Sequence, residues 1–393
     1  MPIVSAIVPV YNGIQHLDAF FESLAAALPD QAQVIIVDDN STQPVLEVVP
    51  ELPRAASVLT LRNEVNLGNS GAVNRGFTVA TGDIVIQLNS DLVLDPGCIT
   101  AMVELIEREG DDVGVVGSKL VYPTTGRTQS VGMAFGFHSK RHVYRHLPEG
   151  HPLCRKQREV QIVTGATAAM TRQVLELLGP LNDDLYNHNL DLDHCLRAAE
   201  HGLRNFMCAD SVAYHWRNRS GPIRYARVEA AEAAFWAKWG GRYRVDLAGF
   251  FDEAIDHVLH AVPQLNEAPF TILDLSRSAD QAIAIERLEA RWPGIGGRTR
   301  SFRQLGNDAE RLRLPLLLPH WLSHEPTPFV YLVDSHQQLE ENAMWFARRR
   351  AVVAEELVVD LSASVCTTSE FASWQAEAPA ESSVDSVVDV LDS

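Results

Sequence analysis

The chain is short of positive charge, of cysteine and of long apolar runs, and each shortage removes a class of function. With 33 Lys and Arg against 51 Asp and Glu, its formal net charge is −18. Nonspecific nucleic-acid binding needs a net basic surface, so no nucleic-acid partner is expected. The five cysteines, Cys98, Cys154, Cys195, Cys208 and Cys366, show neither the paired spacing of a zinc ribbon nor that of a redox motif. Their odd number fits reduced, buried thiols. Cys195, Cys208 and His215 lack a fourth ligand at regular spacing, which argues against structural zinc. No uncharged apolar stretch reaches the roughly 20 residues of a membrane span. Met1-Pro-Ile-Val-Ser enters a strand directly instead of a charged-then-apolar leader, so a cytoplasmic location is expected, with peripheral membrane contact left open. No early glycine-rich, basic segment of the kind that handles a triphosphate is present, and no internal repeat is evident.

What is present is a series of buried strands that end on polar or acidic clusters. At 393 residues, 46% hydrophobic, the chain has material for two cores. Ser5-Ala-Ile-Val-Pro9-Val10 reads as a strand, followed by Gln15 to Leu28 with Leu17, Phe20, Phe21, Leu24 and Leu28 at helical spacing. Gln33 to Val37 is a second strand and ends on Asp38-Asp39-Asn40-Ser41-Thr42. Val58 to Leu61 is a third. Asn66 to Gly76 is a glycine-punctuated loop running into a helix, of the kind that lets backbone approach a ligand. Ile84 to Leu88 ends on Asn89-Ser90-Asp91. Runs of Ile, Val and Leu read as strands buried on both faces, and in an open α/β sheet ligands bind at their carboxyl ends. Taken alone, Asn89, Ser90 and Asp91 read first as turn formers, since all three types favour turns by bonding their own backbone.

In their order and spacing these segments resemble the family 2 glycosyltransferases, within them the bacterial polysaccharide and rhamnosyl-transferase-like members, over about residues 2–216. The resemblance rests on Val8-Pro9-Val10-Tyr11-Asn12, Val37-Asp38-Asp39-Asn40-Ser41, Asn66-x-Gly68 with Asn74-x-Gly76, Asn89-Ser90-Asp91, Gly114-Val-Val-Gly117, Gly165-Ala166, Asp191-Leu-Asp193 and His215. It implies an α/β fold of the Rossmann-like type called GT-A, and a metal-dependent, inverting transfer of a hexosyl or deoxyhexosyl group from a UDP- or dTDP-sugar. Carried over by position, Asp39 bonds the base imide, and Pro9, Tyr11, Gly68 and Asn74 line the base and ribose. Asn89 and Asp91 stand at the metal motif, Asp91 and His215 hold Mg2+ or Mn2+, and Asp191 is the general base. The implied partners are a nucleotide-sugar donor and a glycan, lipid-linked or small-molecule acceptor, in cell-surface glycan or natural-product glycosylation.

The chemistry needs those residue types. A hard cation on oxygen ligands stabilises a departing diphosphate, and one positioned carboxylate takes the acceptor's proton. Two positions depart from the family pattern: Asn89 replaces the first acid of the metal motif, and Leu190 replaces the glutamate before the base. A catalytically impaired nucleotide-sugar binding protein is therefore the alternative. Asp193, two residues from Asp191, points elsewhere on a helix and is expected to pair with an arginine or start the helix. His188 and His194 flank the base and are expected to be ordinary surface or satisfied residues.

The basic segment from His138 to Arg158 contains Pro148, Gly150 and Pro152 and reads as a long loop. It is either a lid over an anionic donor or acceptor, or a solvated loop balancing acidic neighbours. The domain plan is 1–240 for the transferase domain, 241–268 as helical connector and linker, 269–375 as a small α/β domain, and 376–393 as a disordered acidic tail. In the small domain, 270–276, 329–335 and 357–361 read as strands, and 280–291 and 339–350 as helices. It lacks a glycine-rich phosphate loop, so it is expected to be an interaction module, with homo-oligomerisation through it left open.

Overall fold

In the computed structural model, residues 2–137, 139–216, 227–276, 278–301, 326–334, 336, 339, 346, 349–350, 352–353 and 355–377 are described. The chain forms two compact units: the first comprises residues 1–133 and 149–244, the second 134–148 and 245–393.

The first unit follows the expected β-α start. Strand β1 (Val4–Val10) leads through helix α1 (Ile14–Ala27) to β2 (Ala32–Asp38) and β3 (Ala55–Arg62). Helix α2 (Gly68–Val79), β4 (Ile84–Leu88), β5 (Leu92–Leu94), α3 (Cys98–Glu109), β6 (Val113–Val121) and β7 (Thr128–Ser130) come next. After two short strands, β8 (Met133–Phe135) and β9 (Lys140–His142), which fall all but Met133 in the second unit, the first unit resumes with β10 (Arg158–Val160), β11 (Thr167–Thr171), α4 (Arg172–Leu178), α5 (Leu190–Glu200), β12 (Arg204–His215) and α6 (Val228–Trp239). The sheet order is β10-β12-β6-β11-β4-β1-β2-β3, with β5 beside β12 and β7 beside β6.

Strands β1, β2, β3 and β4 are mutually parallel where they pair, whereas β11 runs antiparallel between β4 and β6. The order steps outward from β1 to β3 and then returns to β4 on the other side of β1. That reversal is a topological switch point, and it opens a crevice at the carboxyl ends of β1 and β4. Pro9 stands beyond the last residue of β1 paired with β4, Ile7 opposite Gln87, so its missing N–H leaves no gap in that ladder.

The alternate residues Val4, Ala6, Val8 and Val10 of β1 join Phe20, Phe21 and Leu24 of α1 and Ile99, Met102 and Val103 of α3 in one buried core. Each large apolar side chain buried there contributes about 1.5–3 kcal/mol. This core fixes the strand ends rigidly beneath the crevice. The five cysteines are buried thiols outside any disulfide.

The second unit has α7 (Leu247–Ala261), β13 (Thr271–Asp274), α8 (Gln281–Arg291), β14 (Thr299–Ser301), β15 (Phe329–Val333), β16 (Leu357–Asp360), β17 (Val365–Thr367) and α9 (Thr368–Glu377). Its sheet runs β14-β13-β15-β16-β17, parallel except for β17. The second α/β unit expected from the sequence is therefore present. Its bounds differ from the domain plan. Helix α7, placed in the connector, belongs to this unit, where Asp252 and Asp256 pair with Arg287 and Arg291 of α8.

Residues 134–148 also belong to it, and they differ from the expected loop. Val143, Tyr144 and Leu147 are fully buried, and Arg141 ion-pairs with Asp280 at 2.6 Å. The Tyr144 N–H donates to the Ser362 carbonyl at 2.8 Å. Apolar residues interleaved among the basic ones thus make this a packed segment, not a solvated loop. Most of the helix expected over 339–350, and the tail beyond 377, lie outside the described residues.

Candidate active site

Strand register builds the first part of the site. Strands β5 and β12 pair antiparallel with Leu92 opposite His215, which sets His215 beside Asp91. The ladder continues with the Trp216 N–H donating to the Asp91 carbonyl at 3.1 Å. As a result, His215 Nε2 lies 3.2 Å from Asp91 Oδ1. The other face of the ring meets Gln129 of β7, whose Oε1 is 2.7 Å from His215 Nδ1. The His215 Nε2 atom is buried and has no hydrogen-bond partner among the described residues. Asn89, the first residue of the motif, is half-buried, and its N–H donates to the Ala166 carbonyl at 2.9 Å.

Asp39 follows the end of β2 and caps the entry to α2. Its Oδ1 accepts from Leu67 N at 2.8 Å and Asn63 Nδ2 at 2.7 Å, while Oδ2 accepts from Gly68 N at 2.9 Å. Oδ2 retains acceptor capacity for one more N–H. Burial raises the Asp39 carboxyl above its ordinary value, against the lowering effect of those three donors. Gly68 has φ +78°, and a Cβ there would meet the Tyr186 ring at 2.4 Å. So Gly68 is required by a backbone conformation and by the close approach of an aromatic ring. Tyr186 in turn donates to Asn66 Oδ1, and the Arg227 guanidinium lies 4.8 Å from its ring centroid.

Asp191 lies in the first turn of α5, half-buried. Its Oδ2 accepts the Gly165 N–H at 2.8 Å and its Oδ1 accepts the Leu192 N–H at 3.0 Å. Gln87, on β4, donates to the Gly165 carbonyl at 2.7 Å. A Cβ on Gly165 would stand 3.2 Å from the Asp191 Cβ, so this approach also depends on glycine. Leu190 is buried, and backbone N–H groups orient Asp191. Asp193, by contrast, is fully buried and accepts from Arg197 Nε at 2.9 Å, Lys238 Nζ at 2.5 Å and Trp239 Nε1 at 2.8 Å. Its paired role ties α5 to α6. His194 is a buried neutral histidine, held down to about 3 by burial.

The remaining sequence candidates are placed as follows. Tyr11 is half-buried just past β1, and Pro9 is buried within it. Asn74 is turned to the 181–183 segment: Nδ2 donates to the Leu181 carbonyl and Asp183, and Oδ1 accepts from Leu181 N. That geometry fits holding the segment that leads to Tyr186 better than lining a ligand. Hydrogen bonds link Gln87 to Gly165 and Gly165 to Asp191, and Asn89 to Ala166, so Asp191 and the Asn89-Asp91 turn share one support. Gln87, Gln129 and Tyr186 carry no motif of their own. Only a strand-end glutamine beside an acidic turn was there to be noticed.

Residues 5–179 match the family described as glycosyl transferase family 2. The dolichol-phosphate mannosyltransferase of Pyrococcus furiosus is 34% identical over 119 residues, 30% of this chain and 33% of that protein. An undecaprenyl-phosphate 4-deoxy-4-formamido-L-arabinose transferase of Serratia proteamaculans is 35% identical over 119 residues, 29% of this chain and 36% of that protein. The O-antigen biosynthesis protein RfbC of Myxococcus xanthus is 28% identical over 247 residues, 61% of this chain and 19% of that protein. The chain thus spans about a third of the length of the first two relatives and about a fifth of the third. The first unit carries a family 2 glycosyltransferase domain.

Proposed function

We propose that this family 2 glycosyltransferase domain is a working transferase, moving a sugar from a UDP- or dTDP-sugar to an acceptor hydroxyl with inversion at the anomeric carbon. The observation that carries the reading is the meeting of Asp91 Oδ1 and His215 Nε2 at 3.2 Å, from two segments 124 positions apart in the chain (215 − 91). Carboxylate oxygen and imidazole nitrogen are a fitting donor pair for Mg2+ or Mn2+, ions that are commonly shared between one or two protein ligands, phosphate oxygens and water. His215 Nε2 is buried without a hydrogen-bond partner among the described residues, as a ligand atom would be. When bound there, the ion would supply Lewis-acid stabilisation of the diphosphate charge.

The protein's own groups divide the remaining work. Asp39 Oδ2 accepts the imide N–H of uracil or thymine, with Tyr11, Pro9 and the Gly68 turn beside it. The acceptor oxygen bonds to the anomeric carbon as the carbon–oxygen bond to the diphosphate breaks. The electron pair of that bond leaves with the nucleoside diphosphate, and the hydroxyl proton passes to the Asp191 carboxylate. One base and one displacement give inversion. Backbone orientation of Asp191 by Gly165 and Leu192 supports the transferase over a binding-only protein, since the base is held although Leu190 replaces the glutamate.

The names of the relatives support a lipid-linked or polysaccharide acceptor. The second unit is then the module that holds the acceptor or a partner. Among the described residues no helix is long and apolar enough to cross a membrane. The test is thermal shift with nucleoside diphosphates, with and without Mn2+. UDP or dTDP at 100 times its dissociation constant stabilises the protein by about 2.7 kcal/mol. The Asp91→Ala variant loses the Mn2+-dependent part, and identical UDP binding in excess chelator would remove the metal role.

A further inference from the structure

We infer that Gln129 sets the tautomer of His215, so that the unprotonated Nε2 faces Asp91. The consequence for metal rests on the reading above; the tautomer assignment does not. Gln129 lies in β7, which pairs with β6 through Ser130 opposite Leu120 and Thr128 opposite Val121, and it is 2% exposed. Its side chain touches His215 twice. Nε2 of Gln129 donates to the His215 carbonyl at 3.3 Å, and Oε1 lies 2.7 Å from His215 Nδ1.

These two contacts decide each other. A backbone carbonyl only accepts, so the amide must turn its NH2 toward that carbonyl. The Oε1 then faces the ring and also only accepts. Nδ1 must therefore carry the proton, and in the neutral ring Nε2 is left with its lone pair. That atom is buried and 3.2 Å from the Asp91 carboxylate, with no hydrogen-bond partner among the described residues. Two acceptors facing each other at that separation repel unless a cation bridges them. Gln129 is thus a positioning residue for a cation ligand, the role that outer partners of ligating histidines fill in metal sites generally.

Two variants of the full chain test this. Gln129→Met keeps length and removes both amide contacts; Gln129→Glu keeps an acceptor against Nδ1. Long-range proton–nitrogen correlation spectra of histidine-labelled protein, recorded where the ring is neutral and assigned with His215→Ala, read the tautomer directly. The expected result is Nδ1–H in the wild type and in Gln129→Glu, with Nε2–H gaining in Gln129→Met. Mn2+ affinity in the presence of UDP, followed by the paramagnetic resonance of free Mn2+, should fall about 10–100-fold in Gln129→Met and be retained in Gln129→Glu. A wild-type ring carrying Nε2–H, or an unchanged tautomer in Gln129→Met, overturns the inference. If the wild type shows Nδ1–H but binds no Mn2+, the tautomer assignment stands and the metal reading fails.

Discussion

Asp191 Oδ2 accepts the backbone N–H of Gly165 at 2.8 Å, and Gly165 is itself gripped by Gln87 through its carbonyl at 2.7 Å. A strand of the sheet thereby holds a carboxylate on a helix. The donors that orient Asp191 are main-chain groups of Gly165 and Leu192.

Removing the proton acceptor while keeping its shape separates chemistry from binding. Asp191→Asn should leave UDP affinity near wild type and lower transfer by roughly 10²–10⁴-fold. Calorimetry and a product assay read the two quantities separately. NMR of the product linkage should show inverted anomeric configuration. Retention, or near-wild-type turnover, would move the base elsewhere.

The glycine that faces Asp191 is a second handle on the same geometry. A Cβ at Gly165 would sit 3.2 Å from the Asp191 Cβ, tight enough to displace one of them. Gly165→Ala should lower kcat by up to about 10²-fold, the effect of a small misplacement of a reacting group, with nucleotide affinity kept. An unchanged kcat would show that the helix start gives way freely.

Asp39 carries a pH signature with two opposite signs. Burial raises its carboxyl, so its protonated form is favoured by folding. Its contribution to stability is fully present below the ordinary carboxylate value and is lost as pH rises through the raised one. Nucleotide binding needs the ionised acceptor, so UDP affinity should grow over that same rise. Calorimetric titrations between about pH 4 and 7 should show this in the wild type and a flat profile in Asp39→Asn. Equal affinity for a purine diphosphate would overturn base selection by Asp39.

In the second unit, Arg349 and Glu356 form a fully buried pair, with Arg349 Nη2 2.7 Å from Glu356 Oε1. Tyr331 and the Phe329 N–H donate to the same carboxylate, each at 2.7 Å. Removing one partner leaves a buried charge, so Glu356→Ala should destabilise this unit by about 3–5 kcal/mol in urea unfolding. A loss below about 1 kcal/mol, the scale of an exposed pair, would show that water reaches the arginine.

The strands that build the crevice were legible because they are long runs of Val, Ile and Leu: Ala32–Asp38 and Ile84–Leu88 appear within a residue or two of their reading. Helix α1, read over Gln15 to Leu28, is observed over Ile14–Ala27. Asp91 and His215 were paired from the resemblance alone, and the register of β5 on β12 supplies the physical reason they meet. The clamp by Gln129 was not legible. It depends on a three-residue strand pairing with a bulge to β6, and glutamine has no positional signature. The reading of His138 to Arg158 as a long loop missed the packing of 139–148, because the basic residues there mask the apolar ones between them. Pairing with residues more than 100 positions away leaves no local period to detect.

That segment gives the second unit a long wait during synthesis. The Ser364 Oγ donates to the Arg145 carbonyl at 2.7 Å across 219 positions of sequence. At about 5–20 residues per second, Arg145 leaves the ribosome some 10–40 s before its partner. In that interval the nascent chain carries Val143, Tyr144 and Leu147 without Ser362, whose carbonyl takes the Tyr144 N–H, and the first unit's β10, β11 and β12 are still to be made when it opens. A chaperone that shields short apolar stretches would find its natural client there, and a polypeptide cut after Arg244 would expose the same stretch permanently.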